Sequence, residues 1–477
     1  MFQGRTIAAI ATGLTDSGIG IIRISGPDAV TVGDRLFRSP SGKAVLKNSK
    51  THYLQYGFVV NEDISESDPD WRDHIIDEVM AVVMLAPRSF TGEDTVEIQC
   101  HGGVLVMQKI LEVSLKCGAG LAEPGEFTKR AFLNGRIDLS RAEAVMDVIQ
   151  SRNEYALSAS VKQLRGDLSE TVKQLRGEIL YEIAFIEAAL DDPEHISLEE
   201  YPDRLHEKVE NLLHRIKKLL DTADNGRLIK EGIATVIIGK PNVGKSSLLN
   251  LLVGQERAIV TDIAGTTRDI LEEYINLHGI GLNIIDTAGI RDTQDTVEKI
   301  GVERARQYAD DADLILYVVD SSVPLDENDR EILSLIGDKN VIVLLNKSDL
   351  ESAVSEEKLT AFIKEIRPDQ KDLPIIRTST RENTGIEEFE NTVRKMFFQG
   401  DLSHNSEITI TNMRHKEALQ NSYEGLLLVK QSIENGMEED FYSIDLMSAY
   451  TELGKIIGEE VNDDVVEEIF SKFCMGK

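Results

Sequence analysis

The sequence predicts an α/β plus all-α protein: an α/β N-terminal domain, a helical domain discontinuous along the chain, and a doubly wound α/β domain inserted into it. Three observations carry this expectation. Short β-rich apolar runs bounded by turn residues occupy roughly the first 120 residues. Apolar residues recur at helical spacing from Pro124 to about Ala223 and again after Gly400. Between those stretches, near-continuous apolar runs alternate with helical ones, the pattern of strands buried on both faces of a mostly parallel sheet. The length of 477 residues allows about three domains at roughly 150 residues each. The expected segments are 1–122, 123–222, 223–396 and 397–477, the second and fourth forming one helical domain.

Taken in order, Ile19–Ile24, Val79–Leu85 and Val96–Cys100 read as strands, and Val104 to about Lys116 as a helix after the His101-Gly102-Gly103 turn. The helical stretch places Leu139, Ala142, Met146 and Ile149 on one stripe, then Leu164, Leu168, Val172, Leu175, Ile179 and Ile183 on another. Within it Val161-Lys-Gln-Leu-Arg-Gly166 recurs as Val172-Lys-Gln-Leu-Arg-Gly177, a displacement close to three helical turns. Both copies are therefore expected to show nearly the same face of one or two long helices. The inserted domain offers Thr235–Ile238, Leu282–Ile285, Leu314–Val319, Val341–Leu345 and Pro374–Ile376 as strands. The final segment reads as a helix whose Glu459, Glu460, Asp463, Asp464, Glu467 and Glu468 face solvent around Val465, Val466 and Ile469.

Charge and composition exclude several classes. Lys plus Arg number 52 against 83 Asp plus Glu, a net charge of −31, which argues against a general basic surface coating nucleic acid or anionic membrane. An RNA partner would need a local basic patch or a second protein. Cys100, Cys117 and Cys474 are too few and too scattered for a disulfide framework or zinc site, which suits a cytoplasmic protein. The N-terminal residues lack the charged and apolar regions of a signal peptide. Apolar runs such as Met80–Ala86 fall far short of the roughly 20 residues of a membrane span. The terminal Cys-Met-Gly-Lys does not fit a prenylation box, since Gly476 and Lys477 are wrong for its aliphatic and terminal slots.

The inserted segment carries three ordered motifs at strand ends. Gly239-Lys-Pro-Asn-Val-Gly244-Lys245-Ser246 has phosphate-loop spacing, follows a strand and precedes a helix. Its glycines let backbone N–H groups turn onto phosphate oxygens, Lys245 reaches the β- and γ-phosphates, and the Ser246 hydroxyl suits Mg²⁺. Asp286-Thr-Ala-Gly289 closes the second strand, with a carboxylate for the metal and a glycine N–H for the γ-phosphate. Asn346-Lys347-Ser348-Asp349 closes a later one, where the carboxylate can accept both guanine N1–H and the 2-amino group. Adenine offers neither donor, so the motif selects GTP. Thr266 and Thr267, in Gly265-Thr-Thr-Arg-Asp269, stand where a switch segment supplies a Mg²⁺ ligand. The expected nucleotide contacts from these motifs are Asn242, Val243, Gly244, Lys245, Ser246 and Ser247; Gly265, Thr266 and Thr267; Asp286, Thr287, Ala288 and Gly289; and Asn346, Lys347, Ser348 and Asp349. Mg²⁺ is expected on Ser246 and Thr267. In Ras-like enzymes a glutamine after the Asp-x-x-Gly glycine orients the attacking water, but here that residue is Ile290. Either hydrolysis is very slow or another group supplies that role.

The Ile290 replacement beside Gly-x-Pro-Asn-x-Gly-Lys-Ser and Gly-Thr-Thr-Arg-Asp resembles the bacterial GTPases with a hydrophobic residue at that place. The outer motifs are more specific. Phe90-Thr-Gly-Glu-Asp-Thr-Val-Glu97, His101-Gly-Gly, Glu123-Pro-Gly-Glu-Phe127, Ala131-Phe-Leu-Asn134 and Phe473-Cys-Met-Gly-Lys477 resemble the MnmE (TrmE) family of tRNA-uridine-modification GTPases, from about Ile7 to Lys477. The resemblance implies a tetrahydrofolate-binding, dimerising N-terminal domain, a discontinuous helical domain and an inserted Ras-like G domain. It implies a homodimer acting on tRNA with an FAD-dependent partner of the MnmG (GidA) type, together a heterotetramer, to place an aminomethyl-type group on carbon 5 of a wobble uridine. No membrane is involved.

Carried over by motif, Arg23, Glu97, Arg136 and Lys477 would bind the tetrahydrofolate derivative, the carboxylate meeting pterin N–H donors and the cations the glutamate tail. Arg136 stands where some relatives have Lys. The resemblance adds Thr261, Asp262, Ile263, Ala264, Ser379, Thr380 and Arg381 to the nucleotide contacts. K⁺ would be held by Asn242, Thr261, Ile263 and Thr266, and Glu298 would take over the water-orienting role as two G domains close face to face. Cys474 is either a nucleophile toward carbon 6 of a uridine or a small packing residue beside the folate. Thr380 stands where relatives usually have Ala, a change a backbone N–H contact would tolerate. The densest basic cluster outside the G domain, Lys129, Arg130, Arg136 and Arg141, is the expected tRNA contact. Two other classes compete. An RNA- or ribosome-assembly GTPase switch shares the G-domain motifs but calls for a basic RNA-binding module. A folate-dependent enzyme with a vestigial G domain is disfavoured by the intact motifs.

Overall fold

The computed structural model describes residues 4–61, 68–192, 194–195, 200–255, 272–285, 311–337, 339–368, 372–398 and 408–477. The chain packs as two compact units, one of residues 1–146, 163–185 and 446–477, the other of 147–162 and 186–445.

The first unit is built on a seven-stranded sheet in the order β3-β4-β5-β6-β2-β1-β7. Its strands are β1 (Ile7–Ile10), β2 (Ser17–Ser25), β3 (Phe37–Arg38), β4 (Tyr53–Val60), β5 (Ile75–Met84), β6 (Thr95–Gly102) and β7 (Gly120–Leu121). All pair antiparallel except β1 with β7. The two-residue period of a strand sorts their side chains. Ile22 and Ile24 of β2 and Val96 and Ile98 of β6 enter the main core with Met107 and Ile110 of helix Val104–Lys116. Arg23 and Glu97, one residue out of phase, stand directly opposite each other on the other face. The sequence pattern thus places an ion pair on the face away from the main core. A second small core of Leu139, Ala142, Met146, Val466, Phe470 and Phe473 joins helix Leu139–Gln150 to the C-terminal helix Asp463–Ser471. The acidic residues of that last helix are exposed, as its pattern predicts.

The six-residue repeat behaves differently from expectation. Gly166, with φ +103°, separates helix Glu154–Arg165 from helix Asp167–Asp191. Only a residue tolerant of that backbone ends one helix and starts another there. Gly177 instead lies inside the second helix. The two copies consequently show different faces: Gln163 and Arg176 are buried, whereas their counterparts Gln174 and Arg165 are exposed.

In the second unit a six-stranded sheet runs in the order β13-β12-β11-β8-β10-β9. The strands are β8 (Ile233–Ile238), β9 (Glu272–Leu277), β10 (Ile280–Ile285), β11 (Leu314–Asp320), β12 (Asn340–Asn346) and β13 (Ile375–Arg377). Every pair is parallel except β9 with β10. Along β11, Leu314, Leu316 and Val318 enter one core while Ile315, Tyr317 and Val319 enter the other. Burial on both faces is why the run reads as continuously apolar. Strand β9 (Glu-Glu-Tyr-Ile-Asn-Leu) escaped the sequence reading because its polar residues break such a run. Helices Tyr201–Leu220 and Met413–Glu434 pack on each other in the same unit.

Candidate functional site

Strand β8 delivers the chain into the Gly239–Ser246 loop, and helix Lys245–Gln255 leaves it. Val243 is buried beneath the loop, fixing its depth. Asn242 takes a left-handed φ of +64° and is exposed. Gly244, at φ +103°, has no room for a Cβ because the Asn346 amide fills that space. The Lys245 ammonium donates to the carbonyls of Gly239 (2.7 Å) and Lys240 (2.8 Å), and burial pulls its pKa down. Ser246 and Ser247 are exposed on the first helical turn.

Asn346 ends β12 and is almost fully buried. Its Nδ2 donates to the Val243 carbonyl at 2.9 Å, while its Oδ1 accepts from Thr378 Oγ1 and from the Thr380 N–H, each at 3.4 Å. One side chain therefore ties the phosphate loop to the Ser379–Thr380 loop. Asp349 accepts from Ser379 Oγ at 2.7 Å, and Arg381, mostly exposed, stands 4.0 Å from its other oxygen. Lys347, at φ +61°, places its ammonium 2.6 Å from Asp320 Oδ2. Burial opposes ionisation of Asp320, but the Lys347 and Ser322 hydrogen bonds outweigh it and lower its pKa.

Asp320 was missed in the sequence, although a carboxylate closing an apolar strand is the same signal that marks Asp286. Also missed was the cluster of Lys240, Asp326, Asp329 and Tyr317 beside the loop. Its trace is Asp326-x-x-Asp329 ahead of a helix, a capping-box pattern. Glu298 and Ile290, the switch residues Thr261, Asp262, Ile263, Ala264, Gly265, Thr266 and Thr267, and Asp286, Thr287, Ala288 and Gly289 lie outside the described residues. Among the described residues, no group of three or more His, Cys, Asp and Glu side chains is placed to hold a metal.

The first unit gathers three of the other expected residues. Arg23 Nε donates to Glu97 Oε1 at 2.7 Å and Arg23 Nη1 to the Gly476 carbonyl at 3.4 Å. Phe90 and Phe127 lie against the guanidinium, 5.5 and 5.6 Å from its centre. The tail is anchored by the Phe127 N–H donating to the Lys477 carbonyl (3.2 Å) and the Gly125 N–H to that of Cys474 (3.4 Å). Burial lowers the Lys477 pKa and Arg23 adds to the shift, with Glu97 and Cys474 opposing it. Arg136 is exposed just beyond helix Glu126–Leu133. Cys474 is exposed beside the anchored tail.

The expected basic patch requires correction. Arg130 is 4% exposed and bridges Glu93 (3.0 Å) and Glu126 (2.7 Å). Lys129 pairs with Glu467 at 3.4 Å, and Arg141 donates to the Leu164 carbonyl at 3.0 Å. A cation buried between carboxylates cannot contact phosphate; of the four residues only Arg136 is exposed.

A mostly parallel sheet, a phosphate loop after its first strand and an Asn-Lys-x-Asp loop at the end of a later one define a Ras-like G domain. It is joined in this chain to an α/β N-terminal domain and a helical domain. The family descriptions "GTP-binding protein TrmE N-terminus" and "MnmE helical domain" match residues 6–136 and 139–474. A protein of Lachnoclostridium phytofermentans named tRNA modification GTPase MnmE is 55% identical over 99% of both chains. The same name is carried by relatives in Acetivibrio thermocellus, 48% identical over 100% of both, and Clostridioides difficile, 46% identical over 100% of both. The chain belongs to the MnmE family. No described helix is long and apolar enough to cross a membrane.

Proposed function

We propose that this chain hydrolyses GTP in tRNA modification. With an FAD-dependent partner, it adds an aminomethyl or carboxymethylaminomethyl group to carbon 5 of the wobble uridine of certain tRNAs, in the cytoplasm. The observation that supports the GTPase half best is Asn346, whose amide ties the phosphate loop to the loop beside Asp349. The tRNA half rests on relatives of that name spanning the full chain. The nucleotide would be held by the residues of the three motifs and by those the family resemblance adds, with Mg²⁺ on Ser246 and Thr267. K⁺ would be held by Asn242, which is exposed, with Thr261, Ile263 and Thr266. The segments 1–122, 123–222, 223–396 and 397–477 remain the proposed domain boundaries.

A reduced folate fits the donor set of the first unit: a carboxylate for pterin N–H groups, Arg23 and Lys477 for its carboxylates, and the half-buried Phe90 for its ring, while Phe127 is buried beneath Arg23 in a small core. Arg136 would reach only an extended tail. When bound, folate supplies the one-carbon unit. In equilibrium dialysis Glu97→Gln is expected to weaken binding of a reduced folate by at least about 10-fold, the scale of one charge-assisted hydrogen bond. Unchanged affinity would remove Glu97 from the site. The N-terminal domain is also proposed to pair two copies of the chain. Sedimentation velocity should give a dimer at micromolar concentration; a monomer would contradict it.

A further inference from the structure

We propose that Lys240 is a positioning residue for the phosphate loop, braced by Asp326 and Asp329 and through Asp329 by Tyr317, and that this brace prolongs the residence of bound guanine nucleotide. The proposal rests on the reading of this loop as a nucleotide site.

Lys240 lies in the loop itself, yet its ammonium sits 3.0 Å from Asp326 Oδ2 and 2.7 Å from Asp329 Oδ2. Its backbone carbonyl accepts one of the two hydrogen bonds that hold the Lys245 ammonium. One residue therefore links Lys245 to a fixed point outside the loop.

That fixed point is rigid. Asp326 Oδ1 accepts the N–H groups of Asn328 and Asp329 at the start of helix Glu327–Leu335, a completed capping box. Asp329, with a side chain 1% exposed, accepts from Lys240, from the Asp326 N–H at 2.9 Å and from the Tyr317 hydroxyl at 2.8 Å. Tyr317 is wholly buried in β11, and burial together with the Asp329 carboxylate pushes its pKa far up, so it stays a donor. Burial alone would depress the Lys240 pKa, but the two carboxylates outweigh it and raise it. A carboxylate as buried as Asp329 needs a cation among its partners. Without Lys240 it keeps only neutral donors, and the loop loses its one ionic tie to the helix among the described contacts.

The test uses the full chain and a fluorescent GDP, with dissociation followed by stopped flow, and hydrogen exchange of the loop amides without nucleotide. Lys240→Met is expected to release GDP about 10-fold faster, the equivalent of one charge-assisted hydrogen bond. Lys240→Arg should stay within about 2-fold, because a guanidinium also spans two carboxylates. Asp326→Asn keeps the cap acceptor and loses only a half-exposed charge, so it should accelerate release by about 3-fold and guards against misfolding of the methionine variant. Faster exchange at residues 240–246 should accompany Lys240→Met. Release from Lys240→Met within about 2-fold of the parent, or equal acceleration by Met and Arg, overturns the proposal. If the parent binds no guanine nucleotide, the nucleotide reading fails, and the brace is then decided by exchange: unchanged loop exchange in Lys240→Met overturns it as well.

Discussion

Asp349→Asn is expected to weaken GTP and GDP binding by at least about 100-fold, the combined value of two charge-assisted hydrogen bonds to guanine. The side chain is held from one side by Ser379 Oγ, so the replacement keeps its place but turns an acceptor into a donor group. The guanine N1–H and 2-amino group would then face an amide NH₂, or only one acceptor oxygen. A base carrying oxygen at position 2 reverses the requirement at that edge. The variant should therefore gain affinity for xanthosine triphosphate while it loses GTP, which separates a changed pocket from a broken fold. Isothermal titration with both nucleotides measures it. Equal affinity of parent and variant for GTP would show that Asp349 does not read the base.

Glu298→Ala is expected to lower kcat for GTP by at least about 10-fold, the low side of general-base losses, with GTP affinity barely changed. The Ile290 side chain has no polar atom with which to orient water, and Glu298 is the group proposed to supply that role. A monovalent cation beside Asn242 would neutralise charge developing between the β- and γ-phosphates, as an arginine finger does. K⁺ should accordingly stimulate turnover where Na⁺ does not, and Asn242→Ala should abolish the difference. Steady-state phosphate release in the two salts decides this. Equal rates in K⁺ and Na⁺, or a normal kcat for Glu298→Ala, would refute the mechanism.

What could be read from the sequence follows from how local each signal is. Strand β11 and helix Val104–Lys116 were legible because burial on two faces, or on one helical stripe, writes itself into consecutive residues. The phosphate loop was legible because phosphate geometry demands particular residues at fixed spacing. Asn346 was placed correctly at a strand end, but its hydrogen bond to Val243, 103 residues away, has no local trace. The same holds for Lys240 with Asp329 and for Arg130 with Glu93. Arg130 shows the converse failure: charge density along the chain suggested an exposed basic patch, and tertiary ion pairing buried its centre. The repeat at Val161 and Val172 failed because Gly166 resets the helical phase that the 11-residue displacement assumes.

GTP turnover by this chain is proposed to serve a folate-dependent modification of tRNA. The most direct measurement is modification of unmodified tRNA in vitro by the purified chain with its FAD-dependent partner, omitting GTP, the reduced folate or the amine in turn and reading nucleosides by mass spectrometry. A mass gain on the wobble uridine is expected only when all three are present. Modification that proceeds without GTP or without folate, or no modification in the complete mixture while GTP is hydrolysed, would contradict it.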